Sequence, residues 1–177
     1  MVKTAPIWSN IAYLGAWLLP LPVPMQFAFT ALAVSSAMFH LYEYQLRFKK
    51  GYSWVKWFDS VGYTWQRIDV AMIYLTFTAI AFYAGAQREA IVALMLVLFI
   101  DLGLGYYARK YLVGAVALVA IISVALTNWL FAVVGALILI TAVYFRTDAY
   151  RRPYKRNNIL HSIWHLNSAI GMLLLSS

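Results

Sequence analysis

The chain has 177 residues, of which 64% are hydrophobic and 11% charged, against a soluble norm of about half apolar and a quarter charged. An ordinary water-soluble domain is thereby excluded. A bilayer-crossing helix takes about 20 apolar residues, so the length accommodates roughly seven crossings and no sizeable extramembrane domain. A formal charge of +8 on so apolar a chain points to anionic lipid headgroups and not to nucleic acid. With no cysteine, disulfides, thiolate metal sites, iron–sulfur clusters and thiol nucleophiles are removed, and any metal must be held by His, Asp or Glu.

In chain order, apolar stretches are expected to cross the membrane at 7–23, 25–46, 68–86, 89–107, 111–126, 129–146 and 159–176. The first follows a lone Lys3 and has no small-residue cleavage site, so it reads as a retained helix and not a signal peptide. It ends at Pro20, Pro22 and Pro24, whose alternation stops a helix and makes an extended turn. A long connection leads from His40 to Asp69, while the fifth and sixth spans are divided only by Thr127-Asn128. With no linker and no internal repeat, residues 1–177 are expected to form a single all-α, seven-transmembrane helix bundle.

Orientation follows from the basic residues. With the N-terminus in the cytoplasm, Lys3; Arg47, Lys49, Lys50, Lys56 and Arg67; Arg109 and Lys110; and Arg146, Arg151, Arg152, Lys155 and Arg156 all lie inside, leaving only Arg88 of the 14 outside. The positive-inside rule therefore selects a cytoplasmic N-terminus and an external C-terminus, as expected of an integral protein of the plasma (inner) membrane. Trp8, Trp54, Trp57 and Trp129 fall near span ends, where interfacial aromatics belong.

All three histidines lie within predicted spans: His40 in the second, His161 and His165 in the seventh. Such placement is costly in a bilayer unless it is used. In LHSIWHL the two imidazoles are four residues apart and project from one helix face, where they can share a cation. Ser36 and His40 in SSAMFH repeat the spacing. At 1.5 Å per residue, His40 lies roughly 10 Å from the cytoplasmic end of its span, and His161 and His165 roughly 3–10 Å from the cytoplasmic start of theirs. Asp69, in QRIDVAM, opens the third span from the same side. Four ionisable groups from three helices thus share one depth in the cytoplasmic leaflet. Three His with an open fourth position is the ligand set of a catalytic zinc site, whereas helical HxxxH alone also suits two imidazoles hydrogen-bonded within a bundle.

SxxxH in the second helix, Asp at the start of the third and HxxxH in the seventh resemble the signature of the seven-helix hydrolase superfamily that includes alkaline ceramidases, adiponectin/progestin receptors, haemolysin-III-like proteins and the myomaker group. FDSVGYTWQRID and HSIWHL are most similar to the myomaker-related branch. The resemblance implies a zinc ion held by His40, His161 and His165, with Asp69 and Ser36 as the catalytic pair beside it. The implied activity is hydrolysis of an amide or ester in a membrane lipid, its acyl chains entering between helices. Asp69 would orient or deprotonate the attacking water, and Ser36 would hydrogen-bond the developing oxyanion.

Two other readings fit parts of this pattern. A membrane-remodelling or receptor-like protein would keep the zinc as a structural staple, and a haem-binding electron carrier would use two His as axial ligands. Glu43 and Asp101 are candidate hydrogen-bond partners for a metal-bound imidazole, with ion pairing to loop cations and a polar neighbour in the bundle as their respective alternatives. The basic runs RFKK and RRPYKR are expected to set topology and touch headgroups.

Overall fold

The computed structural model describes residues 5–48, 54–104, 109–151 and 154–177, with side chains described for 5–42, 64–103, 111–145 and 159–177. Glu43, Trp54, Trp57 and most of the loop cations that carry the orientation argument lie outside the described side chains. Every regular element among the described residues is helical: α1 (Ala5–Ser9), a 3-10 helix (Asn10–Leu18), α2 (Val23–Phe48), α3 (Trp54–Tyr83), α4 (Gln87–Leu104), α5 (Arg109–Thr127), α6 (Trp129–Arg151) and α7 (Tyr154–Ser176).

Two stretches differ from the sequence expectation. The long connection expected between the second and third spans is itself largely helical, α2 running on to Phe48 and α3 starting at Trp54. The first span is not one α-helix. Ser9 Oγ and Asn10 Nδ2 both donate to the Pro6 carbonyl, at 3.0 and 2.8 Å, so side chains compete for the acceptor that an α-helical turn would use. The following nine residues wind as a 3-10 helix, whose rise of about 2.0 Å per residue lets a short segment reach further than an α-helix would.

The turns obey local chemistry. After α3, Gly85 takes φ 99°, with Ala86 N–H donating to Ala81 O and Gly85 N–H to Phe82 O, the paired bonds of a glycine-terminated helix. The division at Thr127-Asn128 is present: Asn128 N–H closes on Val124 O, and Asn128 Oδ1 accepts from Phe131 N–H at 3.4 Å to start α6.

The helices pack in sequence, and the 3-10 helix and α1 close the ring against α7; α3 occupies the interior, touching α2, α4, α5 and α7. Tyr74, Phe29, Met25, Leu32 and Ile80 are among the largest fully buried side chains. Along α6 and α7, Gly135 faces Leu175 and Gly171 faces Leu139, with each glycine carbonyl 3.2 Å from where the other's Cβ would stand. This is the close backbone approach that small residues permit.

Within this mainly apolar interior polar groups are also buried, and large apolar side chains stand on the surface. Ser36, His40, Asp69, Asp101, His161 and His165 are buried, while Leu18, Leu126, Phe99 and Leu102 are 74–88% exposed. By length and composition, one described helical stretch, Ile159–Ser176, is apolar enough to cross a membrane; Tyr111–Thr127 and Trp129–Phe145 are apolar but shorter.

Candidate metal centre

His40 comes from α2 and His161 and His165 from successive turns of α7. His40 Nε2 lies 3.3 Å from His161 Nε2 and 2.8 Å from His165 Nε2. The rings of His161 and His165 stand nearly perpendicular to that of His40, at 89° and 82°. All three are buried, at 4, 9 and 2% exposure. One ligand atom from each lies within 4.8 Å of the other two, and the set can hold a metal ion.

Hydrogen bonding alone does not account for this convergence. A neutral imidazole Nε2 either donates one proton or offers one lone pair, so His40 Nε2 cannot complete linear bonds to both partners. A cation among the three rings would use a lone pair from each. For nitrogen ligands 2.0–2.1 Å from a tetrahedral zinc ion, adjacent nitrogens stand about 3.3–3.4 Å apart. The His40–His161 separation of 3.3 Å equals that edge, and the His40–His165 pair is half an ångström tighter. The donor set therefore fits a metal ion.

Among the described residues no Cα of α2 comes within 8 Å of one in α7; the 3-10 helix packs on both. The histidines thus bridge a gap that backbone packing leaves open. Trp164 also packs against the α7 pair, edge-on to His161 with centroids 4.8 Å apart and tilted by 34° to His165 at 4.5 Å.

Ser36, one turn before His40, is 2% exposed, and Asp69 on α3 is 8% exposed. Their relative level follows from helix register. Thr76 Oγ1 reaches Ala28 O across α2 and α3. Stepping seven residues back along α3 leads to Asp69, and seven forward along antiparallel α2 leads to Ser35, the neighbour of Ser36. Asp69 therefore lies level with Ser35-Ser36, about one turn above His40. Asp101 lies on α4, which among the described residues packs on α3 and α5 and not on α2 or α7.

Residues that composition and spacing did not single out complete the surroundings. Tyr13 is 4% exposed; its phenolic oxygen is hydrogen-bonded by Ser168 and lies in the field of Asp69. Ser168 follows His161 and His165 on the same α7 face, at the i+7 and i+3 positions. Asn10, Tyr13 and Ala16 form the buried stripe of the 3-10 helix, its repeat of three matching that helix's turn. Only a period-three reading of that segment could have marked them. Comparison with known family models, with curated proteins and with solved structures yields no match for this chain.

Proposed function

We propose that this chain is a zinc-dependent intramembrane hydrolase of the seven-helix superfamily it resembles, cleaving an amide or ester in a membrane lipid. The observation that carries the reading is the convergence of three imidazoles from α2 and α7 inside a bundle whose outer surface is apolar. Large exposed apolar surfaces mark contact with membrane or partner, and a metal site beneath such a surface is reached most directly from the lipid side. In the same reading the chain crosses the membrane seven times from a cytoplasmic N-terminus. Tyr13 meets Ser168 and Gly15 faces Leu173, so the first segment and α7 run in the same direction, as an odd number of crossings requires.

Zinc, when bound, supplies Lewis acidity toward a carbonyl and an acidified water. His40, His161 and His165 hold the ion and tie α2 to α7. Asp69 takes the proton of the attacking water and returns it to the leaving amine or alcohol as the carbonyl–heteroatom bond breaks. Ser36, at the level of Asp69, donates to the carbonyl oxygen as negative charge develops there. Nε2 separations of 3.3 and 2.8 Å favour one shared ion over axial ligation of haem, which needs a macrocycle between two imidazoles.

The test is metal analysis of the purified chain together with hydrolysis assays on a panel of lipid amides and esters. One zinc per chain and turnover lost in His165→Ala are expected. Among the described residues no α2–α7 backbone approach accompanies the histidines, which gives the structural-staple reading its own support, and zinc-loaded protein that hydrolyses no lipid would decide in its favour.

A further inference from the structure

The 3-10 helix packs on both α2 and α7, so its buried stripe faces the interior between the two helices that the histidines bridge. Tyr13 meets Ser168, and the two segments run parallel. Asn10 is one 3-10 turn earlier, about 6 Å back along its axis, and His165 is three residues before Ser168, about 4.5 Å back along α7. Asn10 therefore comes level with the Trp164–His165 turn.

Asn10 is 1% exposed. Its Nδ2 donates to the Pro6 carbonyl at 2.8 Å, and because a carbonyl only accepts, the NH2 must face Pro6 and Oδ1 must face away. That Oδ1 is buried and has no hydrogen-bond partner. A buried amide oxygen without a donor is costly, and buried polar groups of this kind are ordinarily satisfied. In the same stripe, Ser168 bonds the phenolic oxygen of Tyr13, orienting its second polar group.

We propose that Asn10 is a specificity-determining residue of the site, its Oδ1 accepting a hydrogen bond from an N–H or O–H on the polar head of the lipid. This assignment rests on reading the site as a lipid hydrolase, and it adds a recognition element that the metal ligands and Asp69 do not provide. A site built to bond a polar hydrogen rejects the analogue that lacks it, because the protein's acceptor is then left buried and unpaired.

The test is equilibrium binding to the full-length chain in detergent, so it needs no turnover. Three probes are compared: N-palmitoylethanolamine, its N-methyl amide, which lacks the N–H, and its O-methyl ether, which lacks the O–H. Wild type should bind at least one blocked probe about tenfold more weakly than the parent, and Asn10→Ala should bring that ratio close to one. If Asn10→Ala loses its helical circular dichroism, Asn10→Leu replaces it, keeping the branched shape without an acceptor. Equal affinity of wild type for all three probes, no binding of any probe, or a ratio unchanged in the variant would overturn the proposal. Zinc content is measured on the same samples. A preserved ratio in zinc-free wild type would support Asn10 while removing the metal reading; zinc-loaded protein with level affinities would remove Asn10 alone.

Discussion

Each of the three histidines contributes one nitrogen to a point where three meet, so none can be replaced by its neighbours. His40→Ala, His161→Ala and His165→Ala should each lose metal, measured by elemental analysis. They should also lose the stabilisation that binding provides, about 3 kcal/mol when free metal stands at a hundred times Kd. A chelator should lower the melting temperature of wild type and leave the three variants unmoved. Asp69 and Ser36 call for a different outcome, because the proposed mechanism has them handle protons and charge without holding the ion. Asp69→Asn is nearly isosteric and should keep metal and fold while slowing lipid hydrolysis about 10²–10⁴-fold. Ser36→Ala removes one donor and should cost less. Matched zinc content and turnover in the two variants check this; full activity in metal-loaded Asp69→Asn would remove the proposed base.

On the membrane reading lipid offers little hydrophobic drive for helix association, so the close backbone approach of α6 and α7 carries weight beside side-chain burial. Gly135 and Gly171 are where this matters most. A Cβ at either would come within 2.8–2.9 Å of a leucine Cγ on the facing helix and 3.2 Å from a carbonyl oxygen. Overpacking of that kind costs about 1–3 kcal/mol, more than the roughly 1 kcal/mol of helix propensity that alanine recovers. Gly114, in α5, has nothing within 4 Å of its built Cβ. The sign should therefore differ between sites: Gly135→Ala and Gly171→Ala lower the melting temperature, and Gly114→Ala raises it slightly, all read by thermal denaturation in one detergent. Tilting of α6 against α7 should also disturb His161 and His165, so the first two variants are expected to bind metal more weakly.

For the whole molecule, the partition of basic residues and the parallel run of the first segment and α7 bear on the same point, the parity of crossings. Reporter fusions in the 147–157 connection should behave as cytoplasmic and fusions after Ser177 as external. A cytoplasmic C-terminus would mean an even number of crossings and a different depth for the histidines. The exposed apolar belt gives a second check: chain moved from a micelle to water without lipid should aggregate, since Leu18, Leu126, Phe99 and Leu102 would then meet solvent.

The helical class, the break at Thr127-Asn128 and the pairing of His161 with His165 were legible in the residues alone, because each depends on local periodicity, capping or spacing along one helix. That His40 belongs with them was reached through depth, a coarse coordinate, and through a family resemblance, neither of which gives distances; the 3.3 and 2.8 Å separations required α2 and α7 to face each other. The 3-10 winding of Asn10–Leu18 was not legible, since it depends on which donors reach the Pro6 carbonyl and on how the segment packs. The same holds for Asn10, Tyr13 and Ser168: apart in sequence and ordinary in type, they come together only because the N-terminal segment packs on both α2 and α7.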